Sequence, residues 1–243
     1  MDETKTIGGG LLASVPDARD FQFGSVFGLP ALSELPNEYK TSDPLGIKNQ
    51  GGSDLCTSFA VTACSEDQEL IPLSPEFQFA QTKKLLGDWQ SWGADLRTAA
   101  KSAVKIGSLP VDRLPEDFKL SPDSNNRNEI ARWEEWPSGI ELYATKYRKK
   151  SYFSVSGQFS VFNNMRAVLW QNRYEERSIF TGCVWQNQWS GTKGYIEKDD
   201  GTPSFGHAFK IYGQKTYYLM AHLSNGENIG ERGIFYFKDS VVN

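Results

Sequence analysis

The 243-residue sequence predicts an α+β fold of two lobes, a helical lobe followed by a strand-rich one, with a cleft between them. Three observations carry this expectation. Apolar residues recur at helical spacing through the first half, whereas β-branched and aromatic runs bounded by Gly or Asn fill the second. Hydrophobic content of 39% and aromatic content of 13% are ample for a packed core and exclude wholesale disorder.

Residues 1–34 are punctuated by Gly and Pro and read as an arm laid over a body. The body, 35–243, is expected to be one domain, with about 35–125 helical and about 126–243 β-rich. Cys56, Phe59, Ala60, Ala63 and Cys64 form one stripe of a helix, and Asp54 stands where an N-cap belongs. "LSPEFQFAQTKKLLG" opens with Ser74 as cap and Pro75 as first helical residue and stops at Gly87. "ADLRTAAKSAVKIG" repeats the design and ends at Gly107. A loop rich in Pro, Asp, Asn and Ser, Leu109 to Arg127, leads out of the helices. Strands are expected at "KYRKKSYFSV", "SIFTGCVW", "GHAFKIYG", "TYYLMAHL" and "GIFYF", interrupted by one helix around Asn164 to Gln171.

Charge and cysteine usage exclude several classes. Net charge is −4, and the longest basic cluster, Tyr147-Arg148-Lys149-Lys150, reads as a solvated strand end, so nucleic acid is not expected as a partner. No apolar run approaches the ~18 residues that cross a bilayer, and the acidic N-terminus does not read as a secretory signal. Cys56, Cys64 and Cys183 are odd in number and lack paired spacing, which argues against a disulfide framework and for a reducing, cytoplasmic setting. There is no CxxC and no His pair at ligand spacing, so neither a metal nor a cofactor is expected.

The chemistry concentrates at "KNQGGSDLCTSF", Lys48 to Phe59, where a Gly-rich turn delivers a cysteine to the mouth of a helix. Backbone N–H groups and the positive dipole end there favour thiolate over thiol. A nucleophile also needs a base, and the chain has two histidines. His207 enters a strand after a turn in "SFGHAFKIYG", as a base facing a cleft would; His222 lies at a strand end. Gln50, six residues before Cys56, offers an amide that with the Cys56 backbone N–H would meet a developing oxyanion. Each feature has a plainer reading. A cysteine on an apolar stripe is usually core, and Cys64 reads that way; a histidine opening a strand is often structural.

Together these segments resemble the papain-like cysteine peptidases, in the family's order over about residues 14–243. "IKNQGGSDLCTSFA" resembles the Gln-Gly…Cys signature at the start of the family's central helix, and "LSPEFQ" its Leu-Ser-Glu-Gln helix start. "WGADLRTAAKSAVKIGSLP" is similar to the Gly-Gly segment and helix beside the cleft, "GHAFKIYG" to the histidine strand, and "NGENIGERGIFYF" to the Trp/Gly-rich run near the C-terminus. "VPDARDF" and Thr57 after the cysteine are similar to the bacterial and archaeal members. The resemblance implies a papain-like fold and thiol-dependent hydrolysis of a polypeptide substrate. It implies Cys56 as nucleophile, His207 as base, Gln50 at the oxyanion, and Trp92, Gly93 and Ala94 as the substrate floor.

The sequence departs from the pattern at two places. The family's His-orienting asparagine falls on Leu223, or on His222 with a one-residue slip. Asn225, two positions on and on the same strand face, is the candidate substitute. Asp54-Leu55 replace a small Gly-Ser pair before the nucleophile. Three readings therefore stand: a cysteine peptidase, a papain-like fold without the chemistry serving as a binding or structural subunit, and a thiol-based transferase. The arm is expected to dock on its own domain or on neighbouring subunits, with no maturation cleavage before assembly. Docking on neighbours would suit a larger assembly such as a phage or other virion.

Overall fold

The chain lays down, in order, strand β1 (Leu11–Leu12), a short helix α1 (Phe23–Phe27), β2 (Glu38–Lys40), the helices α2 (Cys56–Glu69) and α3 (Pro75–Leu86), β3 (Ala94–Asp95) and α4 (Leu96–Lys105). Short helices α5 (Arg127–Ala131) and α6 (Ile140–Ala144) follow, then α7 (Val161–Gln171) and the strands β4 (Ile179–Trp185), β5 (Phe205–Tyr217) and β6 (Arg232–Lys238). This computed structural model describes residues 10–14, 17–42, 45, 48–120, 127–155, 159–185, 205–217 and 232–238.

Local chemistry accounts for the helix ends. Ser74 Oγ accepts from Phe77 N at 3.0 Å, Pro75 needs no partner for a missing N–H, and Gly87 closes α3 in the left-handed conformation. Asp95 caps α4 by accepting from Thr98 N at 3.0 Å. The expectation for α2 is corrected. Its N-cap is Leu55, with no side-chain hydrogen bond, and Asp54 lies one residue outside.

Two cores make two lobes. The helical lobe closes on Leu55, Phe59, Phe77, Phe79, Leu109 and Trp136. Trp136 stacks on Phe118 with ring centroids 4.3 Å apart, meets Phe77 edge-on, and donates its indole N–H to Ile130 O at 2.9 Å. Ile130, Ile140 and Ala144 complete this core from beyond residue 125. The β lobe packs Phe23, Val168, Leu169, Ile179 and Ile211, with Tyr39 partly buried against them. Its sheet is antiparallel and centred on β5, which pairs with β2, β4 and β6 and carries a bulge between Ile211 and Gly213.

Two strand expectations change. Residues 148–155 of "KYRKKSYFSV" form no strand: Lys149 N donates to Ala103 O, and Ser154 exchanges backbone bonds with Phe21 and Phe23, leaving a single isolated bridge to Gln22. Of "TYYLMAHL", Thr216 and Tyr217 end β5, and the remainder, 218–223, lies outside the described residues.

The central helix α2 is buried on nearly every side, including Thr57, Ser58, Thr62, Ser65, Glu66 and Asp67. It is therefore not a surface amphipathic helix; Thr62, Glu66 and Asp67 find partners, whereas the buried Thr57 and Ser58 hydroxyls have none among the described residues. Thr62 Oγ1 bonds back to Ser58 O at 2.7 Å, and Glu66 accepts from Leu73 N at 2.6 Å and from Lys48. Asp67 receives Lys210 and Ser178, each at 2.5 Å. Among the described residues no helix is long and apolar enough to cross a membrane.

Candidate active site

Cys56 is the first residue of α2 and has no solvent exposure. The turn before it is tied within itself. Ser53 Oγ donates to Gln50 O at 2.7 Å, and Gln50 Nε2 donates to Ser53 O at 3.0 Å, so the buried Gln50 amide is fixed beside the helix start. The N-cap residue, Leu55, has no side chain that can accept from the leading N–H groups of α2.

His207 lies on β5, opposite Cys183 of β4, and is fully buried. Its neighbour Ala208 joins Cys56 and Ala60 in one apolar cluster, with Leu11, Leu96 and Phe180 around it. The fold thus brings Cys56, Gln50 and the His207 strand to one place. Trp92 is exposed, Gly93 and Ala94 are buried, and Ala94 belongs to β3 at the same cleft. Asn225, together with His222 and Leu223, lies outside the described residues. Among the described residues no His, Cys, Asp or Glu cluster is set to hold a metal. None of the three cysteines forms a disulfide.

The cleft is occupied by the chain's own arm. Leu11 and Leu12 pair in parallel with Ala94 and Asp95, and Ala94 N donates to Gly10 O at 2.8 Å. The fit depends on missing side chains. A Cβ at Gly10 would stand 1.8 Å from the Asp54 carbonyl oxygen, and one at Gly206 would stand 2.5 Å from Leu11 O. Gly10 therefore presses on the residue two before Cys56, and Leu11 on the residue before His207. Outside the cleft, Ser14 Oγ donates to Asp95 at 3.2 Å, and Arg97 Nε donates to Asp20 at 2.6 Å. Tyr152 also donates to Asp20, at 3.2 Å, and burial is the main cause that raises the Tyr152 phenol above its ordinary pKa.

Five further side chains hold the segments around this site, and sequence reasoning passed over them. Glu66 and Asp67, adjacent near the far end of α2, point to opposite parts of it. Glu66 binds Lys48, two residues before Gln50, and Asp67 binds Lys210, three residues after His207. Lys210 and Asp67 are each 2% exposed, so this is a desolvated pair that strongly resists being broken. Lys83, fully buried on α3, donates to Ser91 O (3.0 Å), Ser91 Oγ (2.8 Å) and Gly93 O (3.1 Å), fixing the floor of the cleft. The available signal was a lysine on the Phe79–Ala80 stripe of α3, where an apolar residue was due. Cys64, further along α2, is buried. Burial, then the charge of Asp67, pushes its thiol up to about 12.

A helical lobe and an antiparallel-sheet lobe, joined over a central helix that opens with a cysteine and faces a histidine strand, define a papain-like cysteine protease fold. The structure is similar to xylellain, a cysteine protease from Xylella fastidiosa, with a TM-score of 0.64 and 19% identity over 98% of both chains. It is also similar to procathepsin B S9 from Trypanosoma congolense, with a TM-score of 0.63 and 14% identity over 98% of this chain and 77% of that one. A third likeness is to the cysteine protease and lectin-like domains of Cwp84, a surface-layer-associated protein of Clostridium difficile, with a TM-score of 0.59 and 14% identity over 98% and 50% of the two chains. No family model matches the sequence, and no curated protein does.

Proposed function

We propose that this protein is a papain-like cysteine peptidase held latent by its own arm. The observation that carries the reading is the convergence of Cys56, at the N-terminus of α2, with the buried Gln50 turn and the His207 strand. The cleft between them already holds an extended polypeptide, Gly10 to Leu12, on β3.

In the reaction, Cys56 Sγ loses its proton to His207 and attacks the carbonyl carbon of a peptide bond. The carbonyl oxygen becomes an oxyanion, taken up by the Cys56 backbone N–H and an amide N–H of Gln50; each such donor elsewhere is worth ~3–4 kcal/mol of barrier. His207 then gives the proton to the leaving amine, and the C–N bond breaks to leave a thioester on Cys56. Water, deprotonated by His207, attacks the thioester and releases the carboxylic acid and the free thiol. Trp92, Gly93 and Ala94 floor the substrate strand on β3, the position that Leu11 and Leu12 hold in the latent form.

The second reading, a chemically silent fold serving as a binding or structural subunit, rests on the complete burial of Cys56 and His207 and on the sequence having Leu223 where the papain-like pattern has its His-orienting asparagine. A peptidyl epoxide directed at thiols separates the two. Under the peptidase reading it modifies Cys56 and not Cys64, labelling rises when the arm is displaced, and Cys56→Ala abolishes labelling and peptide cleavage together. A protein with a displaced arm that neither labels at Cys56 nor cleaves any peptide is the silent subunit.

A further inference from the structure

A cavity of about 600 Å³ runs along the later turns of α2, between α4, β4, α7 and residues 148–155. Its walls include none of Cys56, Gln50, Gly93 or His207, so it is separate from the cleft. Val61, Ala100, Ala103, Phe153, Val168 and Phe180 make an apolar interior. Its charged residues are lopsided. Arg97, Arg148, Lys149, Lys150 and Arg177 line it against two carboxylates, Asp20 and Glu69, although the chain as a whole is acidic.

Those carboxylates are already engaged, Asp20 by Arg97 and Glu69 by Lys149 at 2.5 Å, and Arg177 pairs with Glu175. Arg148 donates its Nε to the Val104 carbonyl, and Lys150 is exposed. Among the described residues no carboxylate lies within ion-pairing distance of either. The basic run that the sequence presents as a solvated strand end is thus the rim of a cavity. Residues 148–155 are held there by Lys149 N on Ala103 O and by Ser154 on Phe21 and Phe23.

We infer that this cavity binds a small amphiphilic anion, an apolar body of acyl or fused-ring type carrying one carboxylate or sulfonate, with the body against Val61, Phe153 and Phe180 and the head at Arg148 and Lys150. The volume lies within the range of about 300–1,000 Å³ of small-molecule sites, which are mostly apolar with a few polar groups. An apolar body gains from leaving water, and the rim supplies positive charge opposite to that of the head group. The inference rests on the fold and is independent of the peptidase reading.

The test uses the full chain and decanoate, with decyltrimethylammonium as the probe of opposite charge, both followed by titration calorimetry. Decanoate binds saturably at one site, and decyltrimethylammonium binds roughly tenfold more weakly or not at all. The rim variant Arg148→Glu/Lys150→Glu weakens decanoate by roughly tenfold or more, as two reversed rim charges should. Lys84→Glu/Lys119→Glu, exposed and away from the cavity, leaves it unchanged. All four sites are on the surface, so the variants fold. Absence of saturable decanoate binding, equal binding of the cation, or undiminished binding by the rim variant each overturns the inference.

Discussion

Gly10→Ala tests the latent state most directly. The new Cβ would lie 1.8 Å from the Asp54 carbonyl oxygen, where 3.4–4 Å is ordinary contact, so the arm must withdraw by roughly 1.5 Å or more. Withdrawal breaks the Ala94 N–H to Gly10 O bond, worth about 0.5–1.5 kcal/mol net. It also lifts Leu11 from its seat beside Cys56, Ala60 and Ala208. Full burial of a leucine is worth about 1.5–3 kcal/mol, and Leu11 is only partly buried, so about 1 kcal/mol applies. The total, about 2 kcal/mol, shifts the docked-to-open ratio by about thirtyfold. The assay is the rate of Cys56 alkylation by iodoacetamide, read from the mass of its peptide, with Cys64 in the same chain as the internal control. Cys56 should react faster by that order while Cys64 stays silent. Equal Cys56 rates in the two folded proteins would refute the docked-arm account. Should both thiols react in the variant, it has unfolded, and Leu11→Ala, which creates no clash, decides the matter in the same assay.

Lys83→Met strips the donor from Ser91 and Gly93 and should raise KM for peptides by roughly tenfold with kcat little changed, since the floor it fixes binds substrate and Cys56 is untouched. A kcat loss at constant KM would contradict that role. Asp67→Asn leaves Lys210 charged and buried and should cost about 3–5 kcal/mol in urea unfolding; a loss below about 1 kcal/mol would show that the pair is not desolvated. Cys64 gives a pH dependence with a definite sign. Its thiol is raised from 9.0 to about 12 in the folded chain, so above pH 9 the unfolded chain releases that proton first. Its contribution to stability therefore falls by about 1.4 kcal/mol per pH unit as pH rises through that window. Cys64→Ala should remove this slope in denaturant titrations, and an unchanged slope would exclude Cys64 as its source.

The sequence by itself determined what nearest neighbours decide. Ser74-Pro75 and Gly87 bound α3 because capping and left-handed closure use groups within a few residues of each other, and the β-branched runs at 178–185 and 206–213 became β4 and much of β5 for the same local reason. The start of α2 at Cys56 and the strand that carries His207 were legible because Gly-rich stretches ahead of a helix and of a β-branched run are local sequence patterns too. Tertiary structure decided the rest. Cys64 reads from the sequence as one more member of the α2 stripe, and only burial, with Asp67 and Lys210 beside it, raises its thiol. Asp54 lost the cap to Leu55 in a turn closed by Gln50 and Ser53, with the arm pressed on its carbonyl. Residues 148–155 had the composition of a strand but took their hydrogen bonds from Ala103, Phe21 and Phe23. The roles of Lys83, Glu66 and Asp67, and the seat of Leu11 in the cleft, depend on groups brought together across the fold. Leu11 lies against Gly206, and Asp67 against Lys210, 143 residues away. No periodicity encodes such pairs, because burial removes water as the competing partner and leaves each polar group to whichever distant residue the packing delivers.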